Sequence, residues 1–181
     1  NESGIMIHNY GPHIFHTNQK HVYDYLSRFT QWNDFQHHVL TYVDGNYLPM
    51  PVCVETINQL YHLNLSCKEM ESFIADQCLP IDEIRTSEDV ALAKAGRDIY
   101  EKFFKNYTIK QWGTDPKNLD ASVISRIPFR TSRDTRYFTD RYQGIPKNGY
   151  TKMCEEMLNQ ANIQVLLQCD YRDIMRDVTY D

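Results

Sequence analysis

Aromatic residues at helical spacing constrain the fold of this chain more than any other feature of its sequence. In the segment YEKFFKNYTIKQWG, residues 100–113, they recur at i, i+3, i+4 and i+7 and therefore share one face of a helix. They are Tyr100, Phe103, Phe104 and Tyr107. Such a stripe usually packs into a core, so the segment predicts a helix that is buried along one side.

A cluster of arginines follows this segment. Residues 126–141 hold five arginines against two aspartates, in a chain of net charge −5. They are Arg126, Arg130, Arg133, Arg136 and Arg141. A guanidinium donates paired hydrogen bonds to phosphate oxygens and keeps its charge, so the cluster beside flat rings indicates a ligand with a planar base and phosphates. The alternative is a solvated surface of Arg–Asp pairs, which contribute little stability.

Composition excludes several classes of protein. The 181 residues are 41% hydrophobic and 13% aromatic, which is enough for one packed domain or two small ones. The acidic balance argues against a nucleic-acid-binding protein, and no apolar run is long enough to span a membrane. The five cysteines are odd in number and lack CxxC spacing, so we expect reduced thiols and a cytoplasmic location rather than disulfides or structural zinc.

Periodicity and turn signals predict an α+β fold, in which a helical bundle is inserted into a mainly antiparallel sheet. The predicted strands are 4–8, a hairpin of 39–43 and its return from Tyr47 to Pro49 around Asp44-Gly45, 137–142 and 163–167. The predicted helices are 20–29, one from Val54, one capped by Ser66 with Glu69, one capped by Ser87 that carries the aromatic stripe, and 151–160. Gly144 to Pro146 predicts a turn, and Gly96 is a weak point within its helix.

The histidines offer a cofactor loop rather than a metal site. His13 and His16 lie in the loop GPHIFHT, and no third ligand stands beside them. The chain has no GxGxxG, no P-loop and no GxSxG, and no cysteine in an activating context. The reactive group therefore lies outside these side chains, or the chain is a binding module.

Three separate blocks of sequence resemble UDP-galactopyranose mutases of the bacterial type. They are GPHIFHT at 11–17, FFKNYTIKQWG at 103–113 and RIPFRTSRDTRYFTDRYQGIPKNGYTKM at 126–153. The resemblance implies interconversion of UDP-galactopyranose and UDP-galactofuranose for glycan synthesis. It also implies that reduced FAD is the nucleophile, which would account for the absence of a clear nucleophilic side chain.

The resemblance further implies a larger, Rossmann-like FAD-binding protein whose dinucleotide-binding ends lie outside this chain. We therefore expect an internal piece that retains FAD weakly or not at all and is inactive alone, and a homodimer is compatible with the family. The implied divisions are a flavin-domain edge at 1–35, a sheet hairpin at 36–53, a helical substrate-binding domain at 54–113, a mobile loop and linker at 114–136, and a sheet domain with a helix at 137–181.

The resemblance assigns substrate roles to matching positions. The implied substrate-binding residues are Phe103, Phe104, Tyr107, Thr108, Trp112, Arg126 and Tyr137. Phe103 and Tyr107 match rings that stack on uracil, and Phe104 and Thr108 match their neighbours in the uridine site. Trp112 matches the start of a mobile loop on which Arg126 reaches the diphosphate, and Tyr137 matches a phosphate-binding tyrosine.

The resemblance also places His13 and His16 beside the flavin. Arg126 and His16 are the candidates for a catalytic role, and no metal is implied. The remaining arginines of the cluster receive no role from it.

Overall fold

The computed structural model describes residues 2–174, and the described chain forms two compact units. The first unit combines the two ends of the described chain, up to Phe35 and from Asp140 onward. The second unit is Gln36–Thr139. Helices and small antiparallel sheets make up both units, so the predicted α+β class is confirmed.

The strands are β1 (Phe15–Thr17), β2 (Trp32–Asn33), β3 (Val39–Val43), β4 (Asn46–Met50) and β5 (Tyr142–Pro146). The helices are α1 (Lys20–Leu26), α2 (Val54–Tyr61), α3 (Cys67–Gln77), α4 (Ser87–Ile99), α5 (Asn106–Trp112), α6 (Ala121–Ser125), α7 (Gly149–Leu158) and α8 (Tyr171–Ile174). A π-helical turn spans Tyr100–Lys105, between α4 and α5, and a 3₁₀ turn spans Pro116–Asn118.

Stacked aromatic rings hold the small sheet of the first unit. Strand β5 lies between β1 and β2 and is antiparallel to both. The ring of Phe15 lies 4.6 Å from that of Trp32, and the ring of Tyr23 lies 4.6 Å from that of Tyr142. Strands this short are not stabilised by their hydrogen bonds alone, and the stacked rings add the apolar burial that the sheet needs.

The second unit has a hydrophobic core between the hairpin β3–β4 and the helices. The Asp44-Gly45 turn joins the two strands, as predicted, and Val43 pairs with Asn46 across it. Pro49 was expected to end the return strand, but it pairs with Leu40 within β4. Proline is tolerated there because a two-stranded sheet has a free edge on each strand. The buried core includes Leu48, Val54, Ile57, Met70, Ile99, Tyr100, Phe103 and Phe104.

Side-chain caps begin the helices of the second unit. The capping box of Ser66 and Glu69 is present at α3, as predicted. The predicted cap at Ser87 is wrong by one residue, because Thr86 accepts the hydrogen bond of the Asp89 amide at 3.2 Å. The Ser87 hydroxyl instead donates to the carbonyl oxygen of Asp120 at 2.7 Å, which ties α4 to the segment before α6.

The predicted continuous helix through the aromatic stripe is interrupted. Gly96 has φ 78° and ψ 174°, and the π-helical turn begins four residues later. A β-carbon on Gly96 would lie 2.2 Å from the carbonyl oxygen of Gln77. The glycine therefore permits both the positive φ and the close approach of α3.

Several predicted elements of the first unit are wrong. Residues 4–8 form no strand, and the expected strand at 137–142 lies at β5 instead, where Gly144 and Pro146 pair with Phe15 and Trp32. Residues 163–167 form no strand, and their apolar side chains stay exposed because no sheet face in the described chain covers them. The expected helices 20–29 and 151–160 are α1 and α7, which end earlier, at Leu26 and Leu158.

Three properties of the described residues bear on function. None of the helices there is both long enough and apolar enough to cross a lipid bilayer. Within residues 2–174, no three His, Cys, Asp or Glu side chains converge as metal ligands. The five cysteines all lie in this range, and each is a free thiol.

Candidate functional site

The π-helical turn divides the aromatic stripe into core and surface. Tyr100, Phe103 and Phe104 are 0, 4 and 3% exposed, whereas Tyr107 is 48% exposed. A π turn holds more residues than an α turn, so it rotates the residues that follow away from the face that precedes it. The core interpretation therefore holds for three rings, and Tyr107 is turned toward solvent. The predicted contacts of Phe103 and Phe104 with a base stay predictions.

A cleft of about 290 Å³ lies beside α5. It is lined by Tyr107, Thr108, Gln111, Trp112, Val123 and Ile127. The first four share one side of α5, since residues four apart on a helix are neighbours. The cleft thus brings together Tyr107, Thr108 and Trp112, which the sequence had predicted as substrate-binding residues. Sequence reasoning missed Gln111, although its position four residues after Tyr107 was a usable signal.

Thr108 has an unusual polar environment within the cleft. Its side chain lines the cleft although the residue is only 1% exposed. No hydrogen-bond partner for its hydroxyl is found among residues 2–174. A buried hydroxyl without a partner costs about 1–3 kcal/mol, so a polar group that enters the cleft gains from supplying one.

The far side of the cleft is anchored on α4. The backbone amide of Ser87 donates to the carbonyl of Leu119 at 2.9 Å, and Ile124 of α6 is buried. Asp120 caps α6 by accepting from the Ser122 amide at 2.9 Å, and hydrogen bonds from the side chain and the amide of Ser122 lower the pKa of its carboxyl. In this structure the segment that carries Val123 and Ile127 is therefore held on α4, and the predicted mobility of residues 114–136 stays a prediction.

Protein groups engage most arginines of the cluster. Arg130 donates to the backbone carbonyls of residues 134, 136 and 137, and Arg133 pairs with Glu55. Arg136 binds both carboxylate oxygens of Asp134 at 2.8 and 2.9 Å and lowers the pKa of that carboxyl to about 2. In the first unit, the guanidinium of Arg141 lies 5.5 Å from the ring centre of Tyr142.

Arg126 differs from these four arginines. It is the C-cap of α6, its side chain is exposed, and it directly precedes Ile127 of the cleft. Within residues 2–174, its guanidinium takes part in no hydrogen bond, ion pair or ring contact. The Arg–Asp alternative thus accounts for Arg136 and not for Arg126, which has no such partner within the described residues.

Tyr137 lies near Tyr107 in the second unit. Burial raises the pKa of Tyr137, and the proximity of Tyr107 raises it further. The backbone of Tyr137 is fixed on both sides, because its amide donates to the His37 carbonyl at 2.7 Å and its carbonyl accepts from Arg130 at 2.9 Å. A tyrosine phenol is protonated at neutral pH even without this shift in pKa, so it can donate a hydrogen bond to a phosphate oxygen.

The two predicted flavin histidines have different surroundings in the first unit. His13 lines a cavity of about 400 Å³ together with His8 and Tyr150, and its ring centre lies 6.4 Å from each of theirs. His16 is not among the lining residues, and its Nδ1 lies 2.8 Å from a carboxylate oxygen of Asp140. Sequence reasoning did not assign His8 or Tyr150 to a site.

Comparisons with known proteins agree on one class. Residues 102–181 match the family model described as UDP-galactopyranose mutase. The Klebsiella pneumoniae protein named "Probable UDP-galactopyranose mutase" is 38% identical over 171 residues, which are 94% of this chain and 44% of that protein. The dTDP-fucopyranose mutase of Escherichia coli is 38% identical over 166 residues, 90% of this chain and 44% of that protein. The UDP-galactopyranose mutase of Mycoplasma pneumoniae is 30% identical over 173 residues, 92% of this chain and 43% of that protein.

The relatives are pyranose mutases by name, and this α+β chain is similar in sequence to that class of protein. Within the class, residues 102–181 match the UDP-galactopyranose mutase family, which agrees with the resemblance of the sequence blocks described above. The chain spans less than half the length of the curated relatives it matches.

Proposed function

We propose that this chain supplies the sugar-nucleotide-binding part of a flavin-dependent mutase that interconverts UDP-galactopyranose and UDP-galactofuranose. One observation carries the proposal: the cleft beside α5 combines an exposed tyrosine, a buried hydroxyl and an exposed tryptophan. Arg126, which directly precedes Ile127 of the cleft, has no partner within residues 2–174. These groups correspond to the parts of a nucleoside diphosphate, namely a flat base, polar edges and two phosphates.

The base of the nucleotide would lie on Tyr107. That ring is 48% exposed on the cleft side of α5 and can offer a face to a pyrimidine. Stacking of a base on an aromatic side chain is worth about 1–3 kcal/mol. The Thr108 hydroxyl would then gain the hydrogen-bond partner that it lacks within residues 2–174.

The diphosphate would be held by Arg126 and Tyr137. Arg126 has no competing carboxylate within the described residues, so binding phosphate requires no ion pair to break. The Tyr137 phenol is protonated at neutral pH, as any tyrosine with an ordinary or raised pKa is, and it can donate to a phosphate oxygen. Positive charge and a donor at this position would stabilise the charge that develops on the UDP leaving group.

The flavin contacts of this chain would come from the first unit. The cavity lined by His8, His13 and Tyr150 presents ring edges that suit one side of a flat aromatic group, so these residues fit a flavin contact. When bound and reduced, FAD would supply the nucleophile that this chain lacks. His13 would orient that group, and Asp140 would hold His16 in a fixed orientation through its 2.8 Å contact.

A second candidate differs in the nucleotide and the sugar. The dTDP-fucopyranose mutase matches this chain at 38% identity, as does the Klebsiella pneumoniae protein, so thymidine and a deoxysugar are the alternative substrate. A third possibility for the isolated chain is a nucleotide-sugar binding module without catalysis, which our expectation of weak FAD retention favours.

Turnover in the complete polypeptide with reduced FAD tests the proposal. UDP-galactofuranose and dTDP-fucofuranose are compared as substrates, with wild type, Arg126→Ala and the control Arg133→Ala. We expect turnover of the UDP sugar, a loss of about 100-fold or more in Arg126→Ala with flavin absorbance retained, and a small effect in Arg133→Ala. Preference for the dTDP sugar would select the second candidate, and unchanged turnover in Arg126→Ala would remove that residue from the mechanism.

A further inference from the structure

Lys102 joins the π-helical turn to two neighbouring elements of the second unit. Its Nζ lies 2.7 Å from Oδ2 of Asp44, in the turn of the hairpin, and 3.5 Å from Oδ1 of Asp98 in α4. The Lys102 side chain is 26% exposed, so solvent screens these contacts less than it screens a fully exposed ion pair. The lysine is therefore held between the hairpin and the helix that precedes the turn.

Both carboxylates that bind Lys102 are themselves tied to the fold. The Tyr61 hydroxyl, at the end of α2, donates to Oδ2 of Asp98 at 2.6 Å. Asp44 stands in the two-residue turn that closes the hairpin, with φ 49°, a conformation that aspartate adopts more readily than most residues. The contacts of Lys102 thus connect α2, α4 and the hairpin to one residue of the π-helical turn.

The π-helical turn is a rare arrangement between two α-helices. Such turns occur mostly as single turns within α-helices and frequently at functional sites, so local contacts must favour this one over continued α-helix. Its buried rings hold the turn on the side of the core, and Lys102 adds a tether to the hairpin. Among the described residues, the other ion pair of the turn joins Glu101 to Arg97 at 3.9 Å, and both of those side chains are exposed.

The geometry of this turn decides which side of α5 faces the cleft. Each residue of an α-helix advances by about 100°, so a turn that loses its extra residue would rotate α5 by about that angle. Tyr107 and Trp112, which line the cleft in the observed arrangement, would then turn away from it. A contact that fixes the π-helical turn therefore fixes these two side chains as well.

We propose that Lys102 is a positioning residue, which holds the π-helical turn through Asp44 and Asp98 and so keeps Tyr107 and Trp112 at the cleft. Lys102 is not among the residues that line the cleft, so it acts through α5 and not by contact with a ligand. Its effect on UDP binding rests on the proposed function of the cleft, whereas the orientation of α5 is measurable without nucleotide.

Two measurements on the full chain test this role. In a Trp32→Phe background, acrylamide quenching of Trp112 fluorescence reports the orientation of α5, and the dissociation constant of UDP reports the state of the cleft. The variants are Lys102→Met, which keeps the aliphatic stem, Asp44→Asn, which tolerates the positive φ, and the two combined. Glu101→Gln is the matched control, because it breaks an ion pair of the same turn that does not reach the hairpin. Lys102→Arg tests rescue, and urea titration checks that each variant folds.

We expect Lys102→Met to change the quenching constant of Trp112 and to weaken UDP binding about tenfold, and Asp44→Asn to act in the same direction. The combined variant should be no weaker than Lys102→Met, since both changes break one contact. Lys102→Arg and Glu101→Gln should resemble the wild type in both measurements.

Unchanged quenching and UDP affinity in Lys102→Met would overturn the proposal. Effects of Lys102→Met and Asp44→Asn that add in the combined variant would also overturn it, because the two residues would then act independently. If the wild type binds no UDP, the proposed function fails, and the quenching of Trp112 alone decides whether Lys102 positions α5.

Discussion

Arg130 donates a hydrogen bond of 2.9 Å to the backbone carbonyl of Tyr137. The same guanidinium also donates to the carbonyls of Asp134 and Arg136. One side chain therefore holds the backbone that carries Tyr137, whose phenol lies near Tyr107. This relationship gives a positioning role to an arginine of the cluster that the sequence alone left without one.

Replacing Arg130 with lysine should loosen this segment. A lysine ammonium is a single point charge and does not reproduce the planar fork that reaches several carbonyls. We expect Arg130→Lys to lower the free energy of unfolding by about 1–3 kcal/mol, measured by urea titration, and to weaken UDP binding. Arg126→Lys is the control, since Arg126 has no partner within the described residues, and its stability should stay close to that of the wild type. Equal destabilisation of the two variants would contradict the positioning role.

Substitution of Gly96 should be costly because of Gln77. A β-carbon at Gly96 would lie 2.2 Å from the Gln77 carbonyl oxygen, and the backbone has φ 78°. Gly113 also has a positive φ, of 67°, but a β-carbon there would meet nothing within 4 Å. We expect Gly113→Ala to cost about 1 kcal/mol and Gly96→Ala distinctly more, by chemical unfolding. Similar costs for the two variants would mean that α3 moves aside easily.

The aromatic stripe should separate into a structural and a ligand-binding part. Phe103→Ala should cost about 3–5 kcal/mol of stability because its ring is 4% exposed in the core. Tyr107→Ala should change stability much less, since that ring is half-exposed, yet it should weaken UDP binding about tenfold or more. Unfolding midpoints and isothermal titration with UDP measure the two effects. Unfolding of the Tyr107→Ala protein would show that this ring is part of the core.

The Asp134–Arg136 pair predicts a pH dependence of stability. Arg136 lowers the pKa of Asp134 from its usual value near 3.8 to about 2, so the carboxylate is favoured in the folded state. Its contribution is complete above about pH 4 and is lost as the pH falls through about 2. The stability advantage of wild type over Asp134→Asn should therefore be constant from pH 7 to pH 5 and shrink toward pH 2. A difference in stability that stays constant down to pH 2 would show that ionisation of Asp134 does not contribute to the stability of the folded state.

Local signals predicted the parts of the fold that depend on local chemistry. The Asp44-Gly45 turn fixed the register of β3 and β4, and Ser66 with Glu69 marked the start of α3. The strand at β5 was misplaced because its position depends on its partners: Phe15 and Trp32 pair with Gly144 and Pro146. Alternation of apolar residues, as at 163–167, does not by itself supply a sheet to bury them.

The candidate site could likewise be predicted only in part. Tyr107, Thr108 and Trp112 could be predicted from the resemblance, and the structure brings them to one cleft. The separation of Tyr107 from Phe103 could not be predicted from the sequence, because a 3.6-residue period does not indicate where a π-helical turn occurs. Arg126 could not be distinguished from the other arginines by sequence, since only the folded chain reveals which of them have partners.

The response of Trp112 to UDP tests the central claim most directly. The chain has two tryptophans, Trp32 in the first unit and Trp112 at the cleft, so Trp32→Phe leaves Trp112 as the sole indole. We predict that UDP changes the fluorescence of Trp32→Phe in a saturable way, and that the change is much weaker when Arg126→Ala is added. A saturable UDP response that persists in Trp32→Phe with Arg126→Ala at unchanged affinity, or no Trp112 response at millimolar UDP, would contradict the claim that this cleft binds the nucleotide diphosphate.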